Sequence, residues 1–376
     1  MGFDQPQETW KKFRHLFPVT ENLVYLNHAA VAPLCGPAAE AMKHLSDDAC
    51  SWGSFHYDQW MACYEGLRQA AADLIGSDPS EIAITKNTSE GIATIQMGLD
   101  WHAGDKVVAF QEEFPANFFP WKRLEGRGVR VEWLSIYDPL EKIEAAAKGA
   151  RLLAISFVNY LSGHRVDLHA LGDICHRHGV FYFVDAIQGL GVFPIDVRAM
   201  HIDALAADGH KWLLGPEGCA VLYVNKDVQD SIEPVEFGWT NIAGYNDYAC
   251  RDMALRTDAG RYEPGTLNTI GCYGLRAAME FVLEVGVENV GRQVLHNAAA
   301  LAEGAQGKGY ELMIPRPAAS CSGILGLRKA AIDSRYVVKQ LRDAKITAAP
   351  RQGWVRVSPH LYNNPDDIRR FVEALP

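Results

Sequence analysis

Between residues 80 and 225, short apolar runs alternate with segments of helical period. The runs are EIAIT (81–85), KVVAF (106–110), LLAISFV (152–158), VFYFV (180–184), DALAA (203–207) and CAVLYV (219–224). Each has strand length and is apolar on both faces. Such strands must be covered on both sides, which predicts a mostly parallel sheet between helical layers. Between the third and fourth runs, DLHALGDICHRHG sets Leu168, Leu171, Ile174, Cys175 and His178 along one helical face. It ends at Gly179, a residue suited to a helix C-cap, so the segment reads as a βαβ crossover. Ligands of such sheets gather at the carboxyl ends of the strands.

The pattern changes after residue 258, where RYEPGTLNTIG, rich in turn formers, leads into a helix and a mixed α+β tail. WVRVSP reads as a strand, and NNPDDIRRFVEAL as a helix with Asn364 as N-cap and Pro365 at its first position. Ile368, Phe371, Val372 and Leu375 fall on one face of that helix. The expectation is an α/β protein in three parts. Residues 1–16 form an N-terminal segment, 17–258 a large domain with a mostly parallel seven-stranded sheet, and 259–376 a smaller α+β domain.

Composition narrows the function classes. A chain of 376 residues that is 48% hydrophobic can bury a sizeable core and supports two domains. The net charge of -10, with no long basic run, would repel a phosphate backbone, so nucleic acid is not an expected partner. MGFDQPQETWKKFRHLF lacks the basic-then-apolar layout of a secretory signal, and no apolar stretch approaches a membrane span. These features predict a cytoplasmic protein. The eight cysteines form no CxxC pair, which argues against a disulfide framework or structural zinc and for small core residues. In CHRHG, Cys175 and His178 share a helical face, but two ligands do not make a metal site, and no metal is expected.

Candidate chemistry sits at the strand ends. ADGHKWLLGPEG (207–218) places Lys211 just beyond an apolar strand, where an ammonium is costly. VFYFVDAIQ ends a strand with Asp185 and brings in Gln188 three residues later. That aspartate either caps the next turn or partners a protonated pyridine nitrogen. In ITKNTSEGIATIQMGL, Thr88 and Ser89 open a helix, which is an ordinary N-cap or an anion site. In EEFPANFFPW (112–121), Phe114 is a core aromatic or the cover of a planar cofactor.

In combination these pieces resemble the class V aminotransferase family of fold-type I pyridoxal-phosphate enzymes. That family includes cysteine desulfurases, kynureninases and isopenicillin N epimerase-like proteins. The resemblance runs from YLNHAAVAPL (25–34), which contains Asn27, to WVRVSPHLYNNPDDI (354–368). It implies pyridoxal 5'-phosphate as cofactor, Lys211 as the lysine that binds the cofactor aldehyde, Asp185 as the pyridine-nitrogen partner and Gln188 as the neighbour of the ring oxygen. Thr88, Ser89 and His210 resemble phosphate ligands, and Phe114 the residue stacked on the ring. Thr266 in GTLNT resembles the residue that reaches the phosphate of a neighbouring subunit, which implies a homodimer with a shared active site. Arg356 resembles the arginine that grips a substrate carboxylate, with Asn27, Asn159 and Tyr160 beside the substrate. A partly buried lysine suits this role, because burial disfavours its charged form and an amine must be neutral to attack an aldehyde.

Departures from the family pattern bear on the reaction. Asp208 stands where the family commonly has Ser or Thr near the phosphate. ITAAPRQGWVR holds no cysteine where desulfurases carry their nucleophile, Phe114 replaces their ring-stacking histidine, and Asn159 and Tyr160 occupy the zone of their ring-oxygen asparagine. The resemblance therefore points first to an aminotransferase acting on an amino acid. A C–S lyase or desulfurase-like enzyme, an epimerase-like enzyme and a non-catalytic cofactor-binding protein are the alternatives. No GxGxxG follows the early strands, which argues against a dinucleotide-binding enzyme. Trp239 in FGWTN fits a substrate pocket and a core position equally.

Overall fold

Thirteen strands organise the chain in a computed structural model that describes residues 8–316 and 319–376. They are β1 (Val24–Tyr25), β2 (Ile82–Thr85), β3 (Lys106–Phe110), β4 (Arg130–Leu134), β5 (Leu152–Ser156), β6 (Phe181–Asp185), β7 (Ala204–Asp208) and β8 (Ala220–Val224). The remaining five are β9 (Glu311–Leu312), β10 (Leu325–Arg328), β11 (Ile346–Thr347), β12 (Ala349–Arg351) and β13 (Trp354–Val357). The main sheet has the order β2-β8-β7-β6-β5-β3-β4, and only β8 runs against its neighbours. A mostly parallel seven-stranded sheet between helices is the fold the sequence predicts.

Two apolar layers cover that sheet. Leu153 and Ile155 of β5 pack with Leu67, Leu171 and Leu275 on one face, while Leu152 and Ala154 pack with Ile92, Ile95 and Trp121 on the other. The seventh strand, β4, is absent from the apolar runs. It pairs only with β3 at the sheet edge, so Arg130 is exposed and the run loses its two-sided apolar signature. The crossover helix Leu168–His178 ends at Gly179 in the left-handed conformation, φ 61°, as its sequence predicts. Cys175 lies in the core, and His178 meets Glu144.

A second core gathers Leu325, Leu327, Val337, Val355, Val357 and Phe371 with Val24 and Leu26. Strand β1 reaches this core by pairing in parallel with β11. Packing therefore divides the chain elsewhere than at residue 258. The helix Thr269–Val285 buries Cys272, Leu275 and Met279 in the large layer, and the helix Val287–Gly307 spans both cores. Turn-rich composition at RYEPGTLNTIG marks a loop, which is a weaker event than a change of core. All eight cysteines are free thiols and six are buried. Among the described residues no helix is long and apolar enough to cross a membrane.

Candidate active site

The parallel strands β5, β6 and β7 end together, with Ser156 beside Asp185 and Asp185 beside Ala206. Beyond β7 the chain turns through Gly209, where a Cβ would lie 2.6 Å from Leu275 Cδ1 and 3.0 Å from Cys219 O. Only glycine allows that approach, and it delivers His210 and Lys211 to the mouth of the sheet. The loop is clamped from outside, because Ala32 N donates to His210 O at 2.7 Å.

Lys211 is half-buried, with Nζ 5.7 Å from the centre of the Phe114 ring. Burial pulls its ammonium down to about 8, assisted by Arg356 and opposed by Asp185. Asp185 is buried; its Oδ1 accepts from Ile187 N at 3.1 Å, and burial pushes its carboxyl up to about 6. Phe114 remains 46% exposed, so one ring face is free for a planar partner. Its edge meets the Tyr160 ring, 5.3 Å between centroids.

Arg356, on β13, is only 2% exposed. Its Nη1 donates to Tyr160 O at 2.8 Å, while its Nε has no partner. Burial, with Arg351 nearby, lowers it to about 10. No carboxylate of the protein pairs with it among the described residues. Lys211, Asp185, Phe114, Tyr160 and Arg356 thus converge on one place, although they come from both cores.

Other expected site residues are committed differently. Gln188 Nε2 donates to Ala29 O at 3.0 Å, and its Oε1 accepts from Trp212 Nε1 at 2.7 Å, so it braces the residue after Lys211. Asn159 is absorbed by its own loop: Oδ1 accepts from Leu161 N, Ser162 N and Ser162 Oγ, and Nδ2 donates to Glu112 O at 2.7 Å. Thr88 is buried at the start of the helix Thr88–Gly98, and its Oγ accepts from Asp208 N at 3.0 Å. Ser89 is exposed beside it. The Asp208 carboxylate lies 2.8 Å from His210 Nδ1, within ion-pair range but not aligned as a hydrogen bond. Asn27 has a buried Oδ1 with no partner. Thr266 is exposed on a separate cleft of about 240 Å³ with Lys86, Glu90 and Asn268. Trp239 fits neither of its readings, being 47% exposed and edge-on to Tyr245 and Tyr248.

Glu113 was not singled out by the sequence. It is buried, accepts from Ser156 N at 2.6 Å and from Ser156 Oγ, and is pushed up to about 8 by burial, with the neighbouring Asp185 adding to the rise. The adjacent acids in QEEF were the only available signal. Gln352 was also missed: its Nε2 donates to Tyr160 OH at 3.0 Å.

The chain resembles known proteins along nearly its whole length. A 'Probable cysteine desulfurase' of Pyrococcus abyssi is 30% identical over 382 residues, covering 95% of this chain and 94% of the relative. The 'Uncharacterized aminotransferase YcbU' of Bacillus subtilis is 29% identical, with 97% of each chain covered. The apo structure of a cysteine desulfurase from Thermococcus onnurineus NA1 superposes with a TM-score of 0.88 at 27% identity over 96% of both chains. The 'Aminotransferase class-V' family model matches residues 24–371, and the chain belongs to that family, whose cofactor is pyridoxal phosphate.

Proposed function

We propose that the protein uses pyridoxal phosphate to cleave the Cβ–S bond of a cysteine-type α-amino acid, with Lys211 as covalent anchor and proton carrier and Arg356 as the carboxylate clamp. Arg356 carries the proposal. A buried guanidinium with a free Nε and no protein carboxylate is costly, and a substrate carboxylate supplies the missing fork. The names of the desulfurase relatives support the choice of bond.

The residues present fit the cofactor. Asp185 is buried without a hydrogen-bonded cation, and a pyridine N–H would meet that need. Thr88 Oγ, the free N–H groups of its helix and His210 suit the phosphate, and turning Asp208 toward His210 relieves the repulsion its charge would cause there. The open face of Phe114 suits the ring. When bound, the cofactor supplies an electron sink for charge developing at the α-carbon. Lys211, lowered to about 8, has enough neutral amine near neutral pH to take the α-proton at Nζ.

No cysteine follows Cys321 in the chain, so the loop before Arg356 offers no thiol to receive sulfur. Sulfur then leaves as sulfide, with water converting the remainder to pyruvate and ammonia, or passes to an external thiol and leaves alanine. The same lack of a thiol favours amino transfer as a second reading. Exposed Thr266 suits a contribution to the site of a second copy in a homodimer.

Cysteine turnover separates these readings. Cleavage yields sulfide matched by pyruvate and ammonia, or alanine matched by persulfide on added thiol. Amino transfer yields a keto acid that keeps its sulfur and requires a keto-acid acceptor. Lys211→Ala, checked for folding, abolishes either reaction. Absence of both product patterns in wild type with bound cofactor rejects the proposal.

A further inference from the structure

The β12–β13 hairpin carries a second guanidinium that the proposed reaction does not use. In its register Ala349 opposes Arg356 and Arg351 opposes Trp354. Directly opposed residues share a face and alternate residues do too, so Ala349, Arg351, Trp354 and Arg356 lie on one side. Val355 and Val357 point the other way, into the small core. Arg351 and Arg356 are therefore diagonal neighbours, roughly 7–8 Å apart at the backbone and within reach of one another's long side chains.

Two like charges set side by side repel unless something anionic lies between them. The protein does not provide it. Among the described residues, the hydrogen bond of Arg351 runs from Nη1 to Pro350 O at 2.9 Å, and no carboxylate pairs with it. Arg328, by contrast, stacks on Trp354 of the same hairpin and is paired with Glu311 at 2.9 Å. The charge of Arg351 reaches the site, since it helps hold both Lys211 and Arg356 below their ordinary values, behind the larger effect of burial. Its position is also set in advance. The turn places Gln352 and Gly353 at φ 48° and 83°, and Gln352 and Arg356 both grip Tyr160.

We infer that Arg351 forms a second anion subsite, which selects α-amino acids bearing another negative group on the side chain while Arg356 holds the α-carboxylate. This rests on the proposed function for the role of Arg356, and deepens it by naming the substrate class. A side-chain carboxylate or sulfinate has the required chemistry, and its two acceptor oxygens match a guanidinium fork.

The experiment uses the protein with bound cofactor. L-Aspartate, L-glutamate, L-asparagine, L-glutamine and L-alanine are titrated while the cofactor absorbance is followed. Wild type is expected to bind each acid at least about tenfold more tightly than its amide, the scale of one charge-assisted contact. In Arg351→Met that preference collapses toward unity, and Arg351→Lys recovers part of it. Equal acid and amide affinities in wild type overturn the inference, and so does equal weakening of all five ligands by Arg351→Met. If alanine and the amides perturb the spectrum without any acid preference, the subsite fails while the amino-acid reading stands. If none of the five ligands perturbs it, both fail.

Discussion

Two carboxyl groups, Glu113 and Asp185, meet in the interior and make opposite demands on the protein. Asp185 must be ionised to hold a cation, whereas Glu113, pushed up to about 8, keeps its proton near neutrality and adds no second charge. From pH 4.5, the ordinary value of a glutamate, up to about 8, the folded protein retains a proton that the unfolded chain has released. Stability is therefore lost as pH rises through that window. Glu113→Gln removes the effect, so its stability relative to wild type improves between pH 5 and 8 by on the order of a few kcal/mol. Denaturant midpoints at the two pH values measure this, and a pH-independent difference contradicts it. At the other end of the site, Arg356→Ala removes a desolvated fork worth about 2–5 kcal/mol. Binding of α-amino acids should fall by roughly 30-fold to 1000-fold or more, while cofactor absorbance stays as in wild type.

Local rules set several elements. Asn364 caps the last helix by accepting from Asp367 N at 2.9 Å, and the Asp367 side chain accepts from Asn364 N in return. Asn364→Ala is expected to cost about 1 kcal/mol, read from the denaturation midpoint, with no change in cofactor absorbance. Such caps are legible in the chain because donor and acceptor lie within one turn. Edge strand β4 was not legible, because an edge faces water and alternates like a loop. The hairpin that aligns Arg351 with Arg356 lies between these cases. WVRVSP announced β13, but the register that puts both arginines on one face came only with β12.

At the scale of the molecule, a buried cluster joins the N-terminal strand, the Lys211 loop and the chain's end. His28 Nδ1 meets Ser358 O and its Nε2 meets Tyr362 OH, each at 2.8 Å, while His360 Nε2 lies 3.3 Å from Trp212 O. Burial lowers His28 to about 4 and His360 well below its usual value, so both are neutral in the folded protein. Below pH 6.5, the ordinary histidine value, the unfolded chain binds protons that the folded one refuses. The stability these groups contribute is present above that pH and is lost as pH falls toward 4, roughly 3 kcal/mol for His28. Its sign is opposite to that of Glu113. The advantage of wild type over His28→Gln should therefore shrink from pH 7 to pH 4, as read by denaturant unfolding.

The sequence alone determined the parallel sheet, most of its strand ends and the identity of the reactive groups Lys211, Asp185 and Arg356. These follow from apolar periodicity, caps and residue chemistry, all short-range properties. Tertiary structure decided which side chains face one another. The order β3-β5-β6 brings Glu113 through Ser156 to Asp185, and the loop after β5 spends Asn159 on its own turn while offering Tyr160 O to Arg356. Gln188 was legible as a residue, yet its hold on Trp212 was not. A buried polar atom takes whichever partner the packed strands bring within about 3 Å, and that partner is set by chain segments far apart in sequence.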